Sequence, residues 1–164
     1  VPALVVDELT VWDSLAICEY IAESYPEKHC WPESSEARAV ARSVSNEMHS
    51  GFPEIRSRLP MNCRKRAEVT DIPQSLRAEI GRIREIWENC REKYGEGGKF
   101  LFGRFSIADA MFAPVVLRFR SYAITVGSVE RSYMDAVVSL EALQQWLGDA
   151  EKEREVLDEY EISP

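Results

Sequence analysis

The chain has 164 residues, 45% of them hydrophobic and 29% charged, which reads as a folded globular protein and excludes a disordered one. Lys and Arg number 20 against 28 Asp and Glu, a formal net charge of −8. That excess repels phosphate backbones and anionic lipid, so nucleic acid and membrane are excluded as partners, while small anionic ligands stay open through local cations. No apolar run reaches the ~20 residues that cross a bilayer. The sequence reads as lacking a signal peptide, with the expectation that a segment before Val1 has been lost, and the cytoplasm is the expected compartment. Cys18, Cys30, Cys63 and Cys90 lie far apart without a CxxC, and only His29 and His49 accompany them. The expectation is free thiols in a reducing compartment and no metal site.

In chain order, Leu4, Val5 and Val6, then Leu9, Thr10, Val11 and Trp12, predict two strands around a tight turn at Asp7-Glu8. Asp13-Ser14 can cap a helix whose apolar positions Leu15, Ile17, Cys18, Ile21 and Ala22 share one face and which stops at Pro26. "PEKHCWPESSE" reads as a linker. From Ser35 the pattern is helical to about Leu59, with Pro53 interrupting it, and "MNCRKRAEVTDIP" is a polar connection. Pro73 to Tyr94 forms the next helix, with Ile80, Ile83, Trp87 and Cys90 at three- and four-residue spacing. "GEGGKF" breaks it. Ser106 to about Tyr122 is apolar almost all round, the mark of a buried central helix. Two shorter helices near 129–138 and 141–154 close the bundle, and the acidic tail "EKEREVLDEYEISP" is expected in solvent. A lone hairpin is marginal in water even with a helix across it, so the layout reads as a late piece of an α/β domain joined to a complete helical domain.

Two stretches carry a resemblance. "VPALVVDELTVWDSLAICEYIAE" resembles the second half of the thioredoxin-like domain of cytosolic glutathione transferases: Val-Pro, two strands, an acidic residue with Ser, then a helix. "GRFSIADAMFAPVV" resembles that family's signature in its helical domain, a buried capping box Ser106-x-x-Asp109 opening the central helix. "LPMNCRKR" and "MHSGFPEIRS" are similar to a bacterial branch. The implied fold is α/β plus all-α, a partial thioredoxin-like domain (hairpin and helix) followed by an all-helical bundle. Residues 1–26 would end the glutathione-binding domain, 27–34 would be the linker, and 35–164 the helical domain with its tail. The family's first strand, first helix and second strand have no counterpart in this reading.

The resemblance also implies roles. Pro2 matches a family cis-proline beside which the Val1 backbone pairs with the cysteinyl part of glutathione as an added strand; the plain alternative is a proline at a strand edge. A helix N-terminus suits a carboxylate. Ser14 can add a hydroxyl donor to the γ-glutamyl carboxylate of glutathione, and Asp13 can pair with its ammonium. The family usually has Glu where Asp13 stands, and simple N-capping is the other role open to this pair. Ser106 and Asp109 read as structure. The pocket for a second substrate is expected between the first helical segment and the central helix, with Met48, His49, Phe52, Arg56, Arg118 and Tyr122 as candidates. Met and aromatic residues equally fit a core, and His49 an acid–base or a structural role. Arg64, Lys65 and Arg66 form either a solvated loop or a cationic rim. Cys18 reads as core, and Cys63 is not read as a nucleophile. The group that activates the glutathione thiol, a Tyr, Ser or Cys in the family, is expected upstream of Val1, so no residue here is read as catalytic. The leading reading is a glutathione transferase with glutathione as cosubstrate attacking small electrophiles. The alternatives are a glutathione-dependent isomerase of the maleylacetoacetate type and a non-catalytic binding module. A homodimer is the family expectation.

Overall fold

The computed structural model describes residues 2–157, so Val1 and 158–164, including the end of the acidic tail, lie outside the described residues. Strands β1 (Ala3–Val6) and β2 (Leu9–Trp12) pair antiparallel, with Ala3 opposite Trp12 and Val6 opposite Leu9. Asp7 takes the left-handed conformation the turn requires (φ 52°), which Asp tolerates better than most residues. Helix α1 (Ser14–Ser24) lies against the hairpin and buries Leu15, while Val5 and Trp12 remain in solvent. The helix ends before Pro26, which opens a single 3₁₀ turn, Pro26–Lys28.

The Pro-rich stretch that follows is docked. Trp31 is buried, its indole N–H donates to Glu19 Oε2 (3.1 Å), and the Cys30 carbonyl accepts the Ile107 amide (2.9 Å). Beyond it stand α2 (Ser35–Ser50), α3 (Pro53–Arg58), α4 (Gln74–Tyr94), α5 (Ile107–Ser121), α6 (Ser128–Val138) and α7 (Glu141–Lys152). Pro53 starts α3, and the break before it falls on Phe52, which is left-handed at φ 62° and buried.

The core is built around Trp87 of α4, fully buried, with ring centroids of Phe112, Phe119 and Tyr133 at 6.1, 5.6 and 4.9 Å. Helix α5 supplies its middle, burying Phe112, Val116 and Phe119 on successive turns. Helix α7 closes the bundle only loosely: it packs on α6 but buries no residue fully, and Trp146 stays half exposed. Residues 153–157 are exposed, as expected of the tail, yet Arg64 holds the carbonyls of Glu153 and Glu155.

Candidate functional site

Asp13 follows β2 directly, and continuing the strand register by one residue sets Pro2 and Asp13 at the same open end of the hairpin. Asp13 is the N-cap of α1, at φ 76°. Its Oδ1 accepts the amides of Leu15 (2.9 Å) and Ala16 (3.2 Å), and its carbonyl accepts Ile17 N–H (2.9 Å). A helix start leaves its first amides without intrahelical partners. With Leu15 and Ala16 capped, Ser14 retains both its N–H and its hydroxyl with no partner among the described residues.

The second oxygen of Asp13 is engaged from another element. His49, in the last turn of α2, brings Nε2 to 2.6 Å from Asp13 Oδ2. The Ala16 amide, then His49 and the Leu15 amide, hold the Asp13 carboxyl below the usual carboxylate range against a partial desolvation. Two helical turns back along α2, Arg42 makes a two-pronged contact with Glu19 of α1 (2.9 and 3.0 Å) and lies 5.5 Å over the Trp31 ring. The seven-residue spacing of Arg42 and His49 puts both on one stripe of α2. That periodicity is visible in the sequence, but their partners on α1 are not.

The other pocket candidates lie elsewhere. Met48 and Phe52 are core residues. Arg56 donates to the carbonyls of Met48 (2.7 Å), His49 (3.3 Å) and Gly51 (3.0 Å), tying off the C-terminus of α2. Arg118 donates to the Leu59 carbonyl (2.7 Å), and the Tyr122 hydroxyl to that of Pro60 (3.1 Å). Both therefore pin the polar connection after α3 to the end of α5. Of the six, His49 is the one whose side chain meets the start of α1.

Ser106 and Asp109 form the capping box of α5, both buried. Asp109 Oδ2 accepts Ser106 N–H (2.8 Å) and Ser106 Oγ–H (3.0 Å), and Oδ1 accepts Leu101 N–H (3.0 Å). Burial pushes the thiols of Cys18 and Cys63 up, the latter only partly offset by Arg66, and that of Cys90 up to about 11. Such thiols are poor nucleophiles. A cleft of about 460 Å³, missed by the sequence reading, opens between the connection at Met61–Arg64 and Trp146 of α7. Among the described residues no group of His, Cys, Asp or Glu is arranged for a metal ion, and no helix is long and apolar enough to cross a membrane.

The hairpin and helix followed by this bundle have the layout of a partial thioredoxin-like domain joined to an all-helical one, and known proteins share it. Residues 1–23 match the family described as glutathione S-transferase, N-terminal domain. The fold is similar to a glutathione transferase homolog from Burkholderia solved with bound glutathione (TM-score 0.69, 22% identity, 93% of this chain and 73% of that one). It is also similar to a sphingomonad glutathione S-transferase complexed with glutathione (TM-score 0.63, 20% identity, 92% and 74%). Among curated proteins, maleylacetoacetate isomerase of Rattus norvegicus is 25% identical over 153 residues, which cover 88% of this chain and 66% of that protein. The Mus musculus isomerase is 37% identical over 57 residues, 35% of this chain and 26% of that protein. The chain thus spans about two thirds of the length of one curated relative and about a quarter of the other. The family match covers residues 1–23, and the solved structures share the fold of the chain.

Proposed function

We propose that the open end of the hairpin binds the γ-glutamyl end of glutathione and that the protein is a glutathione transferase, using the thiolate of bound glutathione against small electrophiles. The observation that carries this is Ser14, whose N–H and hydroxyl are two donors left at a helix N-terminus beside an ionised carboxylate. A zwitterionic amino-acid group needs that combination: donors for its carboxylate and a carboxylate for its ammonium. The Ser14 donors fit the carboxylate, and Asp13 fits the ammonium through the lone pairs its present bonds leave. Pro2 directly precedes β1, beside which the cysteinyl part would add, with Val1 as its backbone partner in this reading. No residue between 2 and 157 is assigned to activate the thiol. On the family pattern that role falls to a Tyr, Ser or Cys N-terminal to Val1. A cytoplasmic homodimer belongs to the same proposal.

A second reading, a glutathione-dependent cis–trans isomerase, is favoured by one observation: the two curated relatives named above are maleylacetoacetate isomerases. Calorimetric titration with glutathione, wild type beside Ser14→Ala, tests the shared site. The expected result is saturable binding that the substitution weakens about tenfold, roughly 1.4 kcal/mol. No heat from either protein overturns the site and leaves a transferase-like binding module. Once binding is seen, conjugation of a small electrophile against isomerisation of maleylacetoacetate separates the two reactions.

A further inference from the structure

From Arg38 to Arg118, every arginine donates from its guanidinium to a carboxylate or a backbone carbonyl. Arg120 of α5 and Arg131 of α6 are different. Neither side chain has a hydrogen bond or an ion pair among the described residues, although acids outnumber Lys and Arg by 28 to 20. Both line one groove of about 380 Å³ between α5, α6 and α7. We propose that this groove binds a compact organic anion, a doubly charged oxyanion group on an aromatic body, with Arg120 and Arg131 holding the charge.

Helix geometry puts the two arginines there. Arg118 and Arg120 share the last turn of α5, but residues two apart on a helix point to nearly opposite sides. Arg118 turns inward onto the Leu59 carbonyl (2.7 Å), and Arg120 stands exposed. On α6, Arg131, Met134, Asp135 and Val138 follow the i, i+3, i+4, i+7 spacing of a single stripe, and all four line the groove. Met134 is buried and Val138 half-buried, an apolar floor beside the guanidiniums. Gln144 of α7 closes the groove, its Nε2 donating to the Val138 carbonyl (2.6 Å). Arg120 and Gln144 also line a smaller neighbouring groove of about 140 Å³, where Arg66 adds a third positive charge. The carboxylates lining the two grooves are Asp135 and Glu151, and neither pairs with an arginine among the described residues.

The size of each effect selects the ligand. An exposed ion pair contributes little by itself, and the net charge of −8 opposes any anion arriving from bulk water. Salt confines that opposing field to about 8 Å under physiological conditions, so the local arginines dominate inside the groove. A bare inorganic anion there stays fully hydrated and gains little. A ligand whose apolar body covers Met134 and Val138 removes water from around its oxyanion, which strengthens both charge contacts. Guanidinium forks coming from two helices can each take a pair of oxygens on a phosphate-type group. The groove volume falls within the range of small-molecule sites. None of its lining residues belongs to the Asp13–Ser14 end of the hairpin, so this proposal stands apart from the glutathione reading.

Naphthyl phosphate is the probe, titrated at about pH 7.5, where a phosphate monoester is largely doubly charged. Binding is followed by NMR through the arginine Nε–H signals, assigned by their loss in Arg120→Gln and in Arg131→Gln. Saturable binding that shifts both signals in wild type is expected, with affinity at least about tenfold weaker in the double variant. Signals that stay in place in wild type, or equal affinity in the double variant, overturn the site. Inorganic phosphate and naphthol each lack one half of the ligand and are expected to bind at least about tenfold more weakly than the probe. Phosphate binding as well as naphthyl phosphate overturns the apolar floor and with it the ligand class, and naphthol binding as well overturns the role of the arginines. The titration repeated with excess glutathione is expected to be unchanged. Displacement of the probe by glutathione would put it at the other site and overturn the proposal.

Discussion

Asp13 and Asp109 are the same residue type at the same job, each holding amides at the start of a helix, and their surroundings drive them in opposite directions. Asp13 is exposed, and the Ala16 amide with His49 holds its carboxyl low. Asp109 is fully buried, so desolvation pushes its carboxyl up despite the bonds from Leu101 and Ser106. Beside it Tyr133, also fully buried, is kept neutral by burial and by that carboxylate, its ionisation pushed well above 10. Three donors converge on the Asp109 carboxylate from two chain segments, whereas the Ser106 hydroxyl bonds only within the capping box. Losing an acceptor strands buried donors at about 1–3 kcal/mol each, partly offset by removing a buried charge. Asp109→Ala is therefore expected to cost about 2–4 kcal/mol in urea unfolding and Ser106→Ala about 1 kcal/mol. The reverse order would show that the hydroxyl, not the carboxylate, holds the loop to α5. The Ser-x-x-Asp spacing made this box readable in the sequence. That Asp109 also ties down Leu101 was not readable, because nothing in the spacing says which loop folds back over a helix start.

The helices themselves were legible because each carries a 3.6-residue apolar stripe closed by a cap or a proline, and Pro53, Gly95 and Ser106 mark ends that the structure keeps. What binds one element to another was not. Glu130 reads as an ordinary first-turn acid, yet it is 1% exposed and paired with Arg84 of α4, 46 residues away. The start of α6 is shaped around that carboxylate: a Cβ on the N-cap Gly127 would stand 2.6 Å from Glu130 Oε2. The carboxylate is pinned by Arg84 and has little room to yield. Gly127→Ala is expected to lower stability by about 1–2 kcal/mol. Because the clash is with one side chain, the penalty should largely disappear when Gly127→Ala is placed in a Glu130→Ala background, a non-additivity that a double-mutant cycle reads directly. Strict additivity would put the cost in the backbone of the cap instead.

Across the whole molecule, the two long stretches that carried the resemblance each contain a helix start, at Asp13 and at Ser106. Local chemistry at those points survives translation into sequence. The third member of the site, His49, was visible only as a lone helical histidine, because its partner comes from the other side of the α1–α2 contact. Long-range pairings of the same kind hold the bundle together around α4: Arg82 binds Glu47 of α2, and Arg84 binds Glu130 of α6. The bond to Arg82 holds Glu47 below the usual glutamate value. For Glu130 burial pushes the other way, and Arg84 with the amides at the start of α6 outweighs it, so its carboxyl also sits low. A carboxyl with a folded pKa below its unfolded value stabilises the fold at any pH above that unfolded value and loses the contribution as pH falls through the folded one. Glu130→Gln is thus expected to lower the urea midpoint at pH 7, by the equivalent of about 1–3 kcal/mol, since Arg84 is 40% exposed and regains water. The gap to wild type should begin to narrow below about pH 4.5, where Glu130 of the unfolded chain protonates, and close as pH falls through the lower folded value. Glu47→Gln should show the same narrowing with a smaller loss, as its pair is solvent-screened. A deficit in Glu130→Gln that stays constant from pH 7 down to pH 3.5 would mean that the lost stability comes from packing around the side chain rather than from its charge on Arg84.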